Sequence, residues 1–84
     1  MTASKRFVYI LKSVSSRNRY YTGLTSNVRL RLRAHNAGEC TYTAQHRPWE
    51  LDVVIVFRSE ARALSFERYL KTGSGVAFSQ RHLR

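Results

Sequence analysis

An uninterrupted run of apolar, strand-favouring residues lies near the start of the chain. Residues 6–12 read Arg-Phe-Val-Tyr-Ile-Leu-Lys, so strand-favouring side chains lie on both faces of one predicted strand. A polar loop of turn-forming residues occupies positions 13–18, and the extended pattern resumes over residues 19–24. The two segments are therefore predicted to pair as a β-hairpin, in which Gly23 allows another backbone or a ligand to approach closely.

The pattern then changes to the period of a helix. A Thr-Ser-Asn triplet at 25–27 supplies an N-cap, and Asn-Ala-Gly at 36–38 supplies a stop, which predicts a helix over residues 28–36. Arg31 and His35 lie on the apolar stripe of this helix. An inward arginine needs an anion to offset its desolvation. Because the chain has only five Asp and Glu, a substrate phosphate is the better candidate.

A short continuous apolar run marks the third predicted strand. Residues 39–50 include the only proline of the chain and are predicted to be irregular. Residues 51–57 contain Val-Val-Ile-Val, a pattern typical of a central strand covered on both faces. This strand is therefore predicted to form the middle of the core.

The next predicted helix carries a glutamate on its apolar side. Ser59 caps this helix, and Gly73 is expected to stop it after about residue 72. Glu67 shares the inward stripe with apolar residues three and four positions away. A buried carboxylate is costly without a cation, so either an ion pair with Arg31 or a bound metal ion would satisfy it.

The remaining residues, 73–84, combine a flexible glycine-rich turn with a short basic amphipathic segment. The predicted fold class is α/β (α+β), with a small three-stranded antiparallel sheet flanked by helices. The element order is β-β-α-β-α, followed by a short C-terminal helix. A length of 84 residues predicts one small domain, 1–84.

The charge of the chain indicates a class of partner. Fifteen Lys and Arg against five Asp and Glu give a formal net charge of +10, and thirteen of these cations are spread from Lys12 to Arg84. Self-repulsion destabilises such a small domain unless a polyanion lies nearby, so nucleic acid is the expected partner. The spread of the charge favours a shaped binding face over a disordered basic arm.

The sequence also predicts the compartment. The single Cys40 cannot form an internal disulfide, and no apolar run approaches the roughly 18 residues of a membrane span. The first six residues carry no apolar signal core after their charges. A soluble, cytoplasmic protein with no membrane partner is expected.

Two short motifs and their spacing resemble the signature of the GIY-YIG nuclease family. Residues 7–9, Phe-Val-Tyr, stand in the place of the first triplet, and residues 21–23, Tyr-Thr-Gly, in the place of the second. In that family the helix after the hairpin carries an essential arginine and a later helix carries a metal-binding glutamate. These places fall here on Tyr9, Tyr21, Arg31 and Glu67. A threonine, a basic stretch and Pro-Trp at 43–49 resemble the same region of small standalone bacterial members.

This resemblance implies a metal-dependent endonuclease that hydrolyses phosphodiester bonds in DNA, in repair or processing, with Mg²⁺ or Mn²⁺ as cofactor. Glu67 would bind the metal ion, Tyr9 would act as general base, and Arg31 would stabilise charge on the scissile phosphate. Tyr21 and His35 would position groups or relay protons at the same centre. A tyrosine with a pKa near 10 is a poor base at neutral pH, but surrounding cations are expected to favour its phenolate.

Other cationic side chains are candidate contacts to nucleic acid, with a partner protein as a further source of specificity. Arg29 and Arg33 point away from the inward stripe and are interpreted first as a solvated basic face, which can contact the phosphate backbone. The other candidates are His46, Arg47 and Lys71.

One position departs from the family pattern. Many members carry an asparagine beyond the metal-binding glutamate, whereas the last asparagine here is Asn36. Ser79 and His82 are the candidates to replace it. The alternative function is a non-catalytic module that binds DNA or RNA on the same fold, and the same positive charge supports it. The inward placement of Arg31 and Glu67 favours the enzyme.

Overall fold

The first strand of the chain is the centre of the sheet. Strand β1 (Arg6–Ser13) lies between β2 (Tyr20–Thr25) and β3 (Trp49–Phe57), and both pairings are antiparallel. The computed structural model describes residues 5–84. The helices are α1 (Val28–Asn36), α2 (Thr41–Ala44), α3 (Glu60–Leu70) and α4 (Gly73–His82). The predicted α+β class and the order β-β-α-β-α are confirmed.

Both faces of β1 are covered, each by a different pair of helices. Val8 packs in a cluster with the α3 residues Ala63 and Leu70, which lies on the side of α3 and α4. Tyr9 and Leu11 point to the opposite face, because successive side chains of a strand alternate. On that face they pack with Trp49 and, from α1, Leu32. The sheet therefore separates two helical layers, and β1 is buried between them.

The prediction that the third strand is central is wrong. Strand β3 lies at an edge of the sheet, and Val56 remains 53% exposed. Leu51 and Val54 are also exposed and line an open apolar cleft between β3 and α1. A run of β-branched residues fits any pleated, partly buried surface, so it does not distinguish an edge strand from a central one.

The segment predicted to be irregular, 39–50, contains the short helix α2 and the start of β3. The amide of Asn36 holds the start of that strand: its Nδ2 donates to the Trp49 carbonyl at 3.0 Å, and its Oδ1 accepts from the Trp49 N–H at 2.7 Å. The predicted helix 28–36 is confirmed as α1. It ends as expected, and Gly38 takes a φ of +81° just beyond it.

The C-terminal region is more regular than the predicted flexible turn. Helix α3 ends at Leu70, and Gly73, which was expected to stop a helix, is instead the first residue of α4. Thr72 caps α4 through its side chain, which accepts from the Gly75 N–H at 3.1 Å. Gly75 is required at this corner, because a Cβ there would lie 1.8 Å from the Tyr69 carbonyl oxygen. Within residues 5–84, none of the helices has the length and hydrophobicity to cross a membrane.

Candidate active site

A buried tyrosine hydroxyl is at the centre of the candidate site. Tyr9 is 1% exposed on β1, and its Oη lies 2.9 Å from His35 Nε2. Across the sheet it faces Gly23 of β2, and a Cβ at that position would lie 2.4 Å from the Tyr9 ring. The glycine of the second triplet therefore provides the space in which the tyrosine of the first triplet lies.

His35 is held in one tautomer by the threonine on α2. Its Nδ1 lies 2.8 Å from Thr43 Oγ1, which in turn donates to the Cys40 carbonyl at 3.3 Å. Since the threonine has one proton to give, His35 must donate through Nδ1–H, which leaves Nε2 to accept from Tyr9. Burial and the neighbouring Arg31 charge lower the pKa of His35 below 6.5, so the ring is neutral at neutral pH.

Arg31 lies one helical turn before His35 and leans over the same pair. Its Nη2 is 3.5 Å from His35 Nε2, and a hydrogen bond to Tyr9 is the main reason that the pKa of Arg31 is raised. The inward stripe predicted for α1 therefore holds for both residues. A guanidinium at this position can attract an anion to the Tyr9 hydroxyl.

The cations near Tyr9 do not determine the protonation state of its hydroxyl. Burial raises the pKa of Tyr9 above 10 and outweighs the hydrogen bond and charge of Arg31, which act in the opposite direction. The expected phenolate is therefore replaced by a neutral hydroxyl. That hydroxyl already has a proton acceptor, because it points at His35 Nε2.

Tyr21 borders this group on the side of β2. Its ring centroid lies 4.8 Å from that of His35 and 6.3 Å from that of Tyr9. On its other side Tyr42 of α2 lies 6.1 Å away, and Lys71 Nζ lies 6.0 Å from the Tyr21 ring centroid. Tyr21 therefore connects the buried pair to residues that line the surface.

Glu67 belongs to the other helical layer but is linked to the site through Lys71. It is 9% exposed on the inward side of α3, as the helical stripe predicted. Its cation is Lys71, one turn later, and not Arg31. Because Lys71 also lies over the Tyr21 ring, it links Glu67 to the Tyr21 side of the candidate site.

The remaining candidate contacts to nucleic acid lie in different settings. Arg29 and Arg33 are exposed on α1, and Arg29 borders the apolar cleft beside β3. His46 is partly buried, with its Nδ1 3.0 Å from Ser16 Oγ. Arg47 is exposed, and its Nε donates to the Ala44 carbonyl at 2.9 Å. The structure brings none of these four into the group around Tyr9, and their contact with nucleic acid stays a prediction.

The sequence resemblance pointed to Thr43 without giving its role. The threonine lies eight residues after His35, a spacing that no single helix or strand accounts for. A tight turn after α1 and the indole of Trp49, whose Nε1 donates to the Thr43 carbonyl at 2.7 Å, bring it to the histidine. Of the two candidates to replace the missing asparagine, Ser79 is buried and His82 is exposed.

Comparisons with known proteins agree with this geometry. A family model described as the GIY-YIG catalytic domain matches residues 5–76. A UPF0213 protein of Staphylococcus haemolyticus is 40% identical over 72 residues, which cover 84% of this chain and 85% of that protein. The structure-specific endonuclease subunit SLX1 of Malassezia globosa is 43% identical over 63 residues, which cover 70% of this chain but only 14% of SLX1.

A solved structure supports the same assignment. The solution NMR structure of a UPF0213 protein from Bacillus halodurans aligns with a TM-score of 0.55 and 30% identity, over 90% of this chain and 80% of that one. The family model covers most of the chain, and the relatives share both sequence and fold with it. The chain belongs to the GIY-YIG family.

Proposed function

We propose that this protein is a divalent-metal-dependent endonuclease that hydrolyses phosphodiester bonds in DNA. The observation that carries the proposal is the buried Tyr9 hydroxyl, hydrogen-bonded to the Nε2 of a neutral His35 with Arg31 beside it. A base, a proton acceptor behind it and a cation for phosphate are the groups that hydrolysis of a phosphodiester needs.

The proton path follows from the tautomer of His35. A water molecule attacks phosphorus and gives its proton to Tyr9 Oη, while Tyr9 passes its own proton to His35 Nε2. The bond from phosphorus to the leaving oxygen breaks, and that oxygen takes a proton from solvent. No free phenolate is needed, so the raised pKa of Tyr9 is compatible with its role as base. The imidazolium that forms keeps its Nδ1–H bond to Thr43, and the negative charge that grows on the phosphoryl group offsets its cost.

Arg31 and Tyr21 act on the substrate in this proposal. Arg31 stabilises the charge that develops on the phosphoryl oxygens, an effect that is strongest in a site where little reorganisation is needed. Tyr21 lies against His35 at 4.8 Å between ring centroids and limits where the phosphate can lie. Both residues are held by elements that pack on or pair with β1, which favours a preformed site.

Glu67 fits the role of a metal ligand. Its nearly buried carboxylate already holds a cation, the ammonium of Lys71, which a divalent ion could replace. Within residues 5–84 no three His, Cys, Asp or Glu side chains are grouped for a metal ion. An ion that keeps its waters and binds one carboxylate together with substrate phosphate is therefore the type that fits, as Mg²⁺ and Mn²⁺ do. When bound, the ion would supply Lewis-acid stabilisation of the phosphoryl oxygens.

DNA is the proposed substrate because of charge and relatives. A net charge of +10 and the exposed Arg29 and Arg33 favour contact with the phosphate backbone. The matched SLX1 protein is named as a structure-specific endonuclease subunit. We therefore include in the proposal a cytoplasmic role in DNA repair or processing and a partner protein that supplies specificity.

The test is cleavage of a panel of labelled DNAs with and without Mg²⁺. The parent should cut in Mg²⁺ and stop when a chelator is added. Glu67→Ala should still bind DNA but should not cut. Glu60→Ala is the matched control, because it removes the same charge from an exposed position at the other end of α3 and should cut normally. Equal rates for Glu67→Ala and the parent across a metal titration would show that the metal ligand is wrongly assigned.

One observation favours the non-catalytic alternative. The Lys71 ammonium satisfies Glu67 within the chain, so the carboxylate does not require a metal ion for stability. A module that binds DNA or RNA on the same fold would keep this ion pair. Retained binding, with no cleavage of any nucleic acid in Mg²⁺ or Mn²⁺, would favour the module over the enzyme.

A further inference from the structure

A cleft of about 250 Å³ opens beside Tyr21, between β2 and helix α4. We call it the tyrosine cleft. Its walls carry three tyrosines, two cations and one buried hydroxyl: Tyr20, Tyr21, Tyr42, Lys71, Arg84 and Ser79. It is smaller than the roughly 300–1,000 Å³ of pockets that hold drug-sized ligands, so a single ring system is the size of ligand that it suits.

Two residues that line the cleft carry a buried polar atom without a hydrogen-bond partner. Within residues 5–84, two buried side-chain polar atoms have no hydrogen-bond partner, and they are Ser79 Oγ and Arg84 Nε. Both residues line the tyrosine cleft, and Ser79 is only 3% exposed. A buried polar atom without a partner costs about 1–3 kcal/mol, which a ligand recovers if it supplies the missing bonds. Both atoms have almost no accessible surface, so a ligand in the cleft reaches them only when the Ser79 and Arg84 side chains turn toward it.

The walls of the cleft indicate what kind of ligand this is. Tyr21 and Tyr42 are 6.1 Å apart between ring centroids, and the Arg84 guanidinium lies 4.3 Å from the Tyr20 ring centroid. Aromatic faces with nearby cations bind the bases and phosphates of single-stranded nucleic acid, since every base offers a π-face. A hydroxyl and an N–H can bond the edge of such a base. Lys71 is placed to attract the adjoining phosphate.

We propose that the tyrosine cleft binds one unpaired nucleotide of DNA. The base lies against the tyrosines, and its edge pairs with Ser79 and Arg84 after these two side chains turn toward the cleft. A base within an intact duplex would first have to leave its stack, which costs a few kcal/mol. The proposal rests on the proposed function and narrows its substrate class: the enzyme acts on DNA with an unpaired nucleotide, such as a flap, beside the phosphate that is cut.

The test measures binding without cleavage. Fluorescence anisotropy in the presence of a chelator gives the Kd of the parent for single-stranded DNA, a flapped duplex and a fully paired duplex of the same sequence. Stacking of one base contributes about 1–3 kcal/mol, which corresponds to a preference of about 5- to 140-fold for the unpaired DNAs. A 2-aminopurine at the unpaired position should change its fluorescence on binding, because it stacks on tyrosine.

A cleft-filling variant makes the test specific. Val76 lines the cleft and is 38% exposed, so Val76→Phe should fill the space at little cost to folding. It should remove the preference for unpaired DNA and leave duplex binding unchanged. Ala77→Phe is the matched control, since this neighbouring residue of α4 is exposed and outside the cleft. Its preference should equal that of the parent.

A second pair of variants separates the cleft from general charge. Arg84→Ala and Arg81→Ala each remove one cation, but only Arg84 lines the cleft. Both should weaken duplex binding slightly, and Arg84→Ala alone should reduce the preference for unpaired DNA. A melting curve for each variant shows that it is folded.

Several outcomes would overturn the assignment. These are equal binding of the three DNAs by the parent, a full preference in folded Val76→Phe, or binding of single-stranded RNA but not single-stranded DNA. Because binding is measured without metal, a failed cleavage assay with an intact preference would reject the endonuclease and leave the cleft assigned. Cleavage without any preference for unpaired DNA would support the endonuclease and reject the assignment of the cleft.

Discussion

Gly23→Ala is the substitution that tests most directly whether the position of Tyr9 matters. The added Cβ would lie 2.4 Å from Cζ and Oη of Tyr9, whereas carbon atoms in ordinary contact are about 3.5–4.0 Å apart. Tyr9 would therefore have to move by about 1 Å. It is 1% exposed and packed among Trp49, Tyr21 and Leu32 of α1, so it has little space into which it can move.

The expected loss can be worked out from this displacement. Overpacking of a core typically costs about 1–3 kcal/mol, and a loss of about 2 kcal/mol lowers the Tm of a domain of this size by roughly 8–16 °C. The same shift would lengthen the 2.9 Å bond to His35. A misplacement of about 1 Å at a reacting group can cost about 10²-fold in rate. We expect folded Gly23→Ala to cut at least 10²-fold more slowly than the parent in single-turnover assays.

Gly73→Ala is the control for this experiment. A Cβ at Gly73 would meet no atom within 4 Å, and the residue begins helix α4, so alanine should keep or slightly raise the Tm. Its cleavage rate should be that of the parent. If Gly23→Ala cuts at the parental rate at a temperature where it is folded, the close contact does not position Tyr9 for catalysis, and the proton path through Tyr9 loses its support.

Two further predictions concern helix α1. Arg31→Ala should lower saturated single-turnover cleavage by about 10²-fold or more, with little change in DNA binding. Arg33→Ala, which changes an exposed residue on another side of the helix, should mainly weaken binding and reduce the slope of log affinity against log salt concentration by about one unit. Equal behaviour of the two folded variants would place Arg31 in a general basic face. Because the pKa of His35 is lowered in the folded protein, the unfolded chain protonates His35 at a higher pH than the folded protein does. The free energy of unfolding should therefore fall as pH decreases from about 6.5 toward the folded pKa. Urea titrations should show this dependence in the parent and a weaker one in His35→Gln, and identical pH profiles would argue against a buried, neutral His35.

Periodicity predicted the parts of this fold that depend on local sequence. The strands of the hairpin, helix α1 with its Asn27 cap, and the inward sides of α1 and α3 follow from alternation and from helical stripes. The order of strands in the sheet is a different kind of property. It depends on which segments pair across long distances, and an apolar run such as that of β3 carries no information on its neighbours.

In the candidate site, too, some features were predicted from the sequence and others depend on packing across the fold. Tyr9 and Tyr21 were predicted from the family resemblance, and Arg31 and His35 from the resemblance together with the helical stripe of α1. The structure brings the four together. The partner of Glu67 was missed: the sequence analysis weighed Arg31, whereas the i,i+4 spacing of Glu67 and Lys71 was the signal that favours the observed pair. The raised pKa of Tyr9 was missed for a related reason: the charge of its neighbours is visible in the sequence, but the depth of its burial is not.

The edge position of β3 affects how the molecule meets a polyanion. Trp49–Phe57 includes Glu50 and Asp52, both exposed, and no lysine or arginine, although the chain as a whole carries +10. Strand β2, beside the candidate site, forms the opposite edge. Strand β3 therefore offers a polyanion two negative charges, whereas β2 carries no acidic residue, so we expect the β3 edge to be the less favourable side for contact with nucleic acid. A sequence run that looked like core would thus disfavour one orientation of the protein on a polyanion.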